Sequence, residues 1–584
     1  MVGENRLLNL SLLLALFFSL ITVTLLNLQV FRTDRYRTLS EENCFKKEIV
    51  VPVRGSIISS DNAVIATSKR YFSLYGEVSK INMDAGAIGK LSELIAIQPD
   101  SINALIKMSR IYDERDVLLK SNLDIATVTF LEENGGMYQG LSIRSHPRRF
   151  YPYEYVYSHV LGYVGNITQT EYEKYKQLGY SITDFIGKTG VERSYEKYLK
   201  GQNGIKYFET DVYGRVIREI EKKNAVEKIN GNDVYVTLNH RMQMYIDTLM
   251  TENESGCILL LDAKDGSVIS MYSKPSFDPN IFVYGIRRDM WDYLKRNPLS
   301  PFLNRCTDGV YPPGSTFKIL TTLSGLNEGF IDSQTYFQEC NGSIMISNRI
   351  FNCWSTHYEL DLLEAFKQSC DVYYYQLGMK IGLDKLARYA YLSGFGDAVG
   401  IDIYEESNGL VPDTKYLNKK YGRNGWGIGQ TANLSIGQGD LLVTPIQMAS
   451  FLLAILNGGE KIIPHIVDSI IDKQNEVRFR HKKKINGKLV FSNEDMAFIR
   501  LCMTEAVNGD KGTGAGAKSS LCSISGKTGT AENSAGIPHA WFVSYFPSDN
   551  PEVVCVIVLE NSGHGGEMAA PFAKRIAEKW MNMK

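Results

Sequence analysis

Ser315 and Lys318 have the residue types and the spacing that nucleophilic catalysis requires. They belong to the segment YPPGSTFK (311–318), in which proline and glycine precede a run without helix breakers, so a helix is predicted to begin near Ser315. Residues three apart lie on one helix face, which brings the lysine amine within reach of the serine hydroxyl. A desolvated, neutral lysine can accept the serine proton, and a helix N-terminus favours the negative charge that develops. The spacing therefore predicts an activated serine.

The same S-x-x-K spacing occurs again at Ser194 and Lys197. The motifs that accompany each copy therefore have to show which of the two is catalytic. Ser315 is followed by an S-x-D motif at 369–371 and by a K-T-G motif at 527–529. The Ser194 copy comes after its nearby K-T-G, at 188–190, and no S-x-N or S-x-D lies between them. We interpret Ser194 and Lys197 as a solvated helix face, residues 188–190 as a turn, and Ser315 as the candidate nucleophile.

The composition is that of an ordinary folded protein, with 44% hydrophobic and 22% charged residues. The length of 584 residues predicts more than one domain, about two to four. A net charge of -1 gives no overall basic surface, so we expect no nucleic-acid partner. Nine cysteines, an odd number in so long a chain, do not indicate a dense disulfide scaffold.

Residues 7–31 form an apolar run without a charged side chain. At about 1.5 Å per residue, a helix of this length crosses a bilayer core of roughly 30 Å. The rival interpretation, a cleaved signal peptide, needs an apolar core of roughly 7–15 residues followed by a small-x-small site. This run is longer and ends NLQVFR. We therefore predict an uncleaved transmembrane anchor at 7–31, preceded by a short tail at 1–6.

Residues 32–232 are predicted to be scaffold and interaction surface. In the segment RGSIISSDNAVIA (54–66), apolar and polar residues alternate as in a strand, a turn is expected at Asp61-Asn62, and the strand-like pattern then continues. This predicts a β-hairpin. Residues from about 85 to 133 are predicted to be mixed helix, because their apolar positions recur at helical spacing. The region shows neither metal-ligand spacing nor a plausible nucleophile with its base.

Residues 233–584 are predicted to form an α+β domain. Strands are expected at 233–238 and 257–262, and a hairpin at Asp265-Gly266 leads into a further strand at 267–271. Two more strands are expected near the end of the chain, at 540–545 and 553–558. The Ser315 helix, the S-x-D motif and helical stretches such as 361–380 lie between. Strands from both ends of the domain should therefore share one sheet, with a helical block inserted.

With these motifs in this order, the chain resembles the class B penicillin-binding proteins, which are monofunctional D,D-transpeptidases. The motifs that match that family's pedestal domain are RGxI, R-x-YP, HVLGYVG, GKxGxE and LKG. Those that match its transpeptidase domain are LNR, YPPGSTFK, FNCW, SCD, IGQG, KTGTAE and AWF. The resemblance covers nearly the whole chain. It implies an α+β fold: a pedestal or dimerisation-type domain at 32–232, and at 233–584 a penicillin-binding/serine β-lactamase-type transpeptidase domain, an antiparallel sheet with a helical subdomain.

Three features make the chain most similar to the members that act in cell elongation. Asp371 stands where division enzymes usually have asparagine, the tail carries ENSGHGG (560–566), and no C-terminal repeat modules follow. A division or sporulation homologue remains the alternative within the family.

The resemblance implies a role for each residue of the catalytic motifs. Ser315 would attack the carbonyl between the two terminal D-alanines of a peptidoglycan stem peptide, and an amine from a neighbouring stem would then resolve the acyl-enzyme. Lys318 would be the base, and Ser369 would carry protons to the leaving group. Asp371 replaces the family's asparagine and adds a charge that would keep Lys318 or Lys527 more protonated.

Substrate binding is assigned to the K-T-G strand by the same resemblance. Lys527 would attract the substrate carboxylate, and Thr528 and Thr530 would hydrogen-bond to it. Gly529 would let the strand lie against the substrate. The backbone N–H groups of Ser315 and Thr530 would form the oxyanion hole. β-Lactams mimic D-Ala-D-Ala and should acylate Ser315.

Partners and location follow from the same family. The glycosyltransferase signature E-D-x-x-F-x-x-H-x-G does not occur in 32–232, so a membrane-embedded SEDS polymerase of the RodA type is implied, with elongation-complex proteins bound through the pedestal. The substrates would be stem peptides on lipid-linked wall precursors. We expect a single-pass protein of the inner (cytoplasmic) membrane, with its N-terminus in the cytoplasm and its catalytic domain in the periplasm.

The charges around the anchor oppose this orientation. Arg6 precedes the apolar run, whereas Arg32, Arg35 and Arg37 follow it, and the positive-inside rule would place the large part in the cytoplasm. We nevertheless expect the catalytic domain to lie outside the cytoplasm, because the substrate implied by the active-site motifs is found there.

Two other classes of function were weighed. A β-lactamase or β-lactam sensor would need a group that activates water for deacylation, yet no E-x-x-L-N follows the S-x-D segment, and the pedestal would be unneeded. A non-catalytic wall-assembly scaffold would have a degenerate site, yet all three motifs are intact apart from Asp371.

Cys340, Cys353, His357 and Cys370 fall within a short window. Zinc is conceivable, but neither C-x-x-C nor H-x-x-x-H spacing occurs, so we expect no metal and no cofactor. A disulfide in an oxidising compartment and unpaired buried cysteines both remain open.

Overall fold

The computed structural model describes residues 2–33, 45–78, 81, 85–111, 116–181, 184–210, 216–221, 224–250, 255–533 and 536–584. The chain divides into two compact units. One comprises Met1–Val53 and Gly201–Asn230, and the other comprises Arg54–Lys200 and Gly231–Lys584. The predicted domain limits at 32, 232 and 233 stay predictions.

The strands of the described residues, in chain order, are β1 Phe45–Val50, β2 Ile57–Ile58, β3 Val64–Glu77, β4 Asp116–Leu123, β5 Leu141–Phe150, β6 Val164–Asn166, β7 Phe185–Gly187, β8 Gly204–Thr210, β9 Val216–Ile220, β10 Asp233–Val236, β11 Gly256–Asp262, β12 Val268–Lys274, β13 Ser343–Ile346, β14 Arg349–Asn352, β15 Glu460–Ile462, β16 Val467–Ile471, β17 Val477–Arg480, β18 Ile485–Lys488, β19 Ser525–Ala531, β20 His539–Phe546 and β21 Val553–Leu559.

The helices of the described residues, in chain order, are α1 Val2–Leu26, α2 Ala85–Ile95, α3 Pro99–Ile111, α4 Ile125–Glu133, α5 Ser158–Leu161, α6 Gln169–Tyr175, α7 Gly190–Ser194, α8 Glu196–Leu199, α9 His240–Leu249, α10 Asn280–Val283, α11 Arg288–Arg296, α12 Lys318–Asn327, α13 Leu362–Lys367, α14 Asp371–Ile381, α15 Leu383–Ser393, α16 Thr414–Tyr421, α17 Ile428–Ser435, α18 Pro445–Leu456, α19 Asn493–Asn508, α20 Gly565–Met568 and α21 Ala570–Met583.

The first unit contains the apolar N-terminal helix and a small sheet. Helix α1 continues through a π-helical turn, Asn27–Phe31. The stretch Leu8–Phe31 has a mean hydropathy of 2.2 and is long and apolar enough to cross a membrane. Strands β1, β8 and β9 of this unit form a three-stranded antiparallel sheet in the order β1-β8-β9.

A five-stranded antiparallel sheet is the centre of the second unit, with strand order β12-β11-β21-β20-β19. Strands β11 and β21 are continuous apolar runs because both of their faces are covered. Residues on one face, such as Ile258 and Ile557, share a core with helices α9 and α21. Residues on the other face, such as Leu259 and Val556, share a core with α12, α18 and α19. Strands from both ends of 233–584 therefore do form one sheet, as predicted.

Strand β10 at 233–236 is an exception to that plan. It lies in a seven-stranded sheet with the order β17-β16-β10-β2-β3-β4, to which β5 adds by pairing with β3. Its neighbours are β2 in parallel and β16 in antiparallel orientation. This sheet joins strands from residues 32–232 to strands from residues 233–584.

The region 85–133 is only partly helical, so that expectation was wrong at one place. Helices α2, α3 and α4 are present, but residues 116–123 form strand β4, which pairs with β3. Val117, Leu119 and Leu123 are buried in the small core beneath it. Pairing with the long strand β3 overrides the helical spacing of this short segment.

Three pedestal motifs meet at a buried cluster of charges. Glu192, which is fully buried, accepts hydrogen bonds from Arg149 and from Nε of Arg54, the latter over 2.7 Å. Arg54 also pairs with Glu196, and Tyr151 donates to Glu192 over 3.3 Å. The charged residues of the RGxI, R-x-YP and GKxGxE motifs therefore form one structural unit. Ser194 and Lys197 are both exposed, as expected of a solvated face.

Candidate active site

The segment that carries the nucleophile is a tight turn that leads directly into a buried helix. Gly314–Phe317 forms one 3-10 turn and continues directly into α12 at Lys318, which confirms the predicted helix start. Gly314 has φ +54, and a Cβ there would lie 2.7 Å from the carbonyl oxygen of Thr530. Only glycine fits that position. Ser315 is partly exposed, and among the described residues none hydrogen-bonds to its hydroxyl.

Lys318 lies beneath the serine and is completely buried. Its Nζ forms an ion pair with Oδ1 of Asp371 at 2.7 Å. It also donates to the carbonyl oxygen of Ser369 over 2.9 Å and to Oγ of Ser369 over 3.2 Å. Burial raises the pKa of Asp371, and the positive charge of Lys318 opposes that rise. The lysine ammonium is thus compensated by a partner that the family's usual asparagine would not supply.

Ser369 lies between two lysines. Its Oγ accepts a hydrogen bond from Nζ of Lys527 over 2.9 Å as well as the one from Lys318. Burial, together with the nearby Lys318, lowers the pKa of Lys527 well below its ordinary value. Ser369 itself has φ +54, a strained conformation for a serine that persists where the surroundings impose it. Two amines and one hydroxyl can therefore exchange protons directly.

Strand β19 carries the K-T-G motif along the edge of the sheet, as predicted. Thr528 donates from Oγ1 to Oγ1 of Thr513 over 3.0 Å. A Cβ at Gly529 would lie 2.8 Å from the carbonyl oxygen of Pro313 and 2.9 Å from Cγ2 of Thr316. The glycine thus lets the nucleophile turn pack against the strand. Thr530 is partly exposed beside that turn.

Trp354 and Gln438 contact this site without having been assigned to it from the sequence. Trp354 donates from its indole Nε1 to the carbonyl oxygens of Gln368 and Ser369, over 3.1 and 3.2 Å, and is 62% exposed. Gln438 donates to the carbonyl oxygen of Thr530 over 3.0 Å. The glycines that flank Gln438 are the signal that could have identified it, since both have positive φ.

Cys340, Cys353, His357 and Cys370 come together next to the catalytic motifs. Their four ligand atoms all lie within 4.8 Å of one another. Nδ1 of His357 is 3.5 Å from the sulfur atoms of both Cys340 and Cys353. The spacing along the sequence did not indicate this cluster, because it is the β13–β14 hairpin that brings Cys340 and Cys353 together.

The donor set of this cluster suits a zinc-class ion. Three thiol sulfurs and one imidazole nitrogen are the ligands of structural tetrahedral zinc sites. Hydrogen bonds from Cys370 and His357 lower the pKa of Cys353 to about 2, which favours the thiolate form that binds metal ions. The cluster also touches the active site, because the backbone N–H of Asp371 points at Sγ of Cys353 over 3.2 Å. A bound ion would hold the S-x-D motif in place.

Comparison with known families covers most of the chain. The family described as "Penicillin binding protein transpeptidase domain" matches residues 256–578, and "Penicillin-binding Protein dimerisation domain" matches residues 49–236. The chain belongs to the class B penicillin-binding proteins, in which both domains occur together. The family and the fold class predicted from the motifs are confirmed.

Individual relatives match over nearly their full length. The peptidoglycan D,D-transpeptidase MrdA of Acinetobacter baumannii is 30% identical over 578 residues, covering 95% of this chain and 84% of that protein. MrdA of Haemophilus influenzae is 31% identical over 583 residues, covering 95% and 88%. A complex between PBP2 and MreC from Helicobacter pylori matches with a TM-score of 0.79 and 26% identity, covering 92% of this chain and 99% of that chain.

Proposed function

We propose that this protein is a peptidoglycan D,D-transpeptidase of cell-wall elongation, acting through an acyl-enzyme on Ser315 and inhibited by β-lactams. The observation that carries the proposal is the position of the Ser369 hydroxyl, which is hydrogen-bonded to both Lys318 and Lys527 directly behind the nucleophile turn. This arrangement supplies a proton path from attack to leaving group. The MrdA relatives are named for the same activity.

In the acylation step, Oγ of Ser315 attacks the carbonyl carbon between the two terminal D-alanines of a stem peptide. The Lys318 ammonium first gives a proton to the paired carboxylate of Asp371, whose pKa is raised by burial. The neutral Lys318 amine then takes the serine proton and passes it through Ser369 to the departing D-alanine nitrogen. Through its ion pair with Lys318, Asp371 orients the lysine and stabilises its protonated form. The C–N bond breaks, D-alanine leaves, and an ester joins Ser315 to the remaining peptide.

In the second step, an amine of a neighbouring stem attacks that ester. Its proton returns along the same path to Ser315, and the new amide cross-links the wall. Lys527, Thr528 and Thr530 bind the carboxylate of the first substrate, whose negative charge favours the protonated form of Lys527 that burial and Lys318 otherwise disfavour. The substrate lies along the edge of β19 that is not paired with β20, next to the nucleophile turn, with its carbonyl oxygen between the N–H groups of Ser315 and Thr530.

The N-terminal apolar helix and the pedestal account for where the protein acts and what it binds. Leu8–Phe31 anchors the protein in the cytoplasmic membrane, with the N-terminus inside and the catalytic domain outside, where the wall precursors are polymerised. A SEDS glycosyltransferase of the RodA type would supply glycan strands. The pedestal would bind elongation proteins, as the PBP2 of Helicobacter pylori forms a complex with MreC. A division or sporulation role is the alternative within the family.

The proposal is tested by labelling the membrane-extracted protein with a fluorescent penicillin. We expect stable label on the wild type and on the matched control Ser194→Ala, and none on Ser315→Ala. A cross-linking assay with lipid-linked precursors and a partner polymerase then measures transpeptidation. Label that forms and decays within minutes would instead indicate a β-lactamase. A folded wild type that takes up no label, even with its polymerase, would indicate a scaffold.

A further inference from the structure

The carbonyl group of Thr530 is held by a side chain from outside the three catalytic motifs. Nε2 of Gln438 donates to this oxygen over 3.0 Å. Gln438 is partly buried and stands between Gly437 and Gly439, whose φ angles are +73 and +79. Glycine adopts such angles without strain, and the turn that the two glycines form directs the side-chain amide of Gln438 toward β19.

The same turn also holds the nucleophile segment. The backbone N–H of Gly314 donates to the carbonyl oxygen of Gly437 over 2.9 Å. A Cβ on Gly437 would lie 2.2 Å from the carbonyl oxygen of Gly314, so the two backbones touch because both residues are glycine. One rigid turn thus contacts the segment that carries Ser315 through its backbone and β19 through its side chain.

The Thr530 carbonyl and the Thr530 N–H belong to neighbouring peptide groups, and the strand conformation relates their directions. In an antiparallel strand, the N–H and C=O of one residue point to the same side. β19 is the last strand of its sheet and pairs with β20, with Thr530 opposite Ala540. The Thr530 carbonyl points away from β20 toward Gln438, so its N–H also points away from β20. That side is occupied by the nucleophile turn, since a Cβ on Gly314 would lie 3.2 Å from the nitrogen of Thr530.

We propose that Gln438 is a positioning residue for the reaction: by holding the Thr530 carbonyl it keeps β19 in place at Thr530, so that the Thr530 N–H of the preceding peptide group donates to the oxyanion. This inference rests on the proposed function. Without the side chain, the edge strand has no partner for that carbonyl, and the N–H donor can rotate away from the ester. Misplacing such a donor by a fraction of an ångström slows acylation by roughly 10- to 100-fold.

The test compares Gln438→Leu with the wild type in two measurements. The first is the second-order rate constant of acylation by penicillin. The second is the stretching frequency of the ester carbonyl in the acyl-enzyme, measured by difference infrared spectroscopy, which falls as the oxyanion hydrogen bonds strengthen. We expect Gln438→Leu to acylate roughly 10- to 100-fold more slowly and its ester band to move to higher frequency. Gln438→Glu should behave likewise at neutral pH and recover as its carboxyl group is protonated.

Gln447→Leu is the matched control. Gln447 is also a buried glutamine that donates to two backbone carbonyls, those of Asp397 and Asn408, both over 2.8 Å. Its loss should lower the unfolding temperature and leave the ester band unchanged. An unshifted band and a wild-type acylation rate in Gln438→Leu would overturn the positioning role. A wild type that forms no acyl-enzyme would overturn the proposed function itself, and this inference with it.

Discussion

At the scale of single residues, the site is defined by how its charges are compensated. Lys318 is completely buried, and a buried ammonium group requires a partner. Asp371 provides that partner at 2.7 Å, and it is itself 16% exposed toward the cleft. The aspartate that distinguishes this second motif therefore compensates the charge of the buried Lys318, in addition to its role in the proposed reaction.

This pairing predicts different outcomes for two substitutions of Asp371. Asp371→Ala leaves the buried lysine without a counter-charge, which typically costs about 3–5 kcal/mol of stability, and we expect it to lose penicillin acylation. Asp371→Asn also removes the counter-charge but keeps an oxygen acceptor for the lysine and restores the residue usual in the family, so we expect a smaller loss of stability than in Asp371→Ala and acylation retained within roughly tenfold. Chemical denaturation and penicillin-labelling rates check both. Equal loss in the two variants would contradict the pairing argument.

At the scale of structural elements, the β13–β14 hairpin links the S-x-D motif to a second cluster. Cys340 and Cys353 flank this hairpin, and Cys370 is the central residue of the motif. A zinc ion bound there would tie the hairpin to the start of α14, whose first residue is Asp371. Part of the active site would then depend on metal for its shape.

We expect the purified protein to contain about one zinc ion per chain, because three thiols and an imidazole whose ligand atoms lie within 4.8 Å of one another form a donor set that binds zinc tightly. Chelation should lower the unfolding temperature and expose three additional reactive thiols. Cys340→Ser should lose most of the metal. Cys555→Ser, at a buried cysteine in β21, should keep it. Elemental analysis and thiol titration measure both effects, and metal-free wild type with Cys353 and Cys370 in a disulfide would refute this expectation.

At the scale of the whole molecule, residues 54–200 and 231–584 form one compact unit, joined by the seven-stranded sheet. Side-chain contacts reinforce that sheet. Tyr195 donates to Asp402 over 2.8 Å, and Asp402 in turn accepts from the backbone N–H groups of Ile466 and Val467. Most of the pedestal is therefore continuous with the catalytic domain.

The charge cluster around Glu192 should be essential to this continuity. Replacing Glu192 with Gln leaves Arg149 and Arg54 without their shared carboxylate in a buried site, and we expect a loss of about 3–5 kcal/mol of stability. The exposed ion pair between Glu173 and Lys176 provides the control, since Glu173→Gln should have no measurable effect. Thermal unfolding measures both. A Glu192→Gln protein as stable as the wild type would show that the arginines find other acceptors.

The sequence by itself determined the chemistry and the order of the main elements. The catalytic motifs, the apolar N-terminal helix and the strands at 257–262, 540–545 and 553–558 depend on residues close together in the chain, where spacing and periodicity are direct signals. The start of the helix at Ser315 follows for the same reason, since proline and glycine act on their immediate neighbours.

The tertiary structure alone decided which distant residues meet. The thiol–imidazole cluster escaped the spacing rules because a hairpin closes the gap between its members. The contact of Gln438 with Thr530, and the pairing of β4 with β3, likewise join segments far apart in the chain. Such contacts depend on how whole elements pack, and packing energy is summed over many side chains whose partners no local pattern specifies.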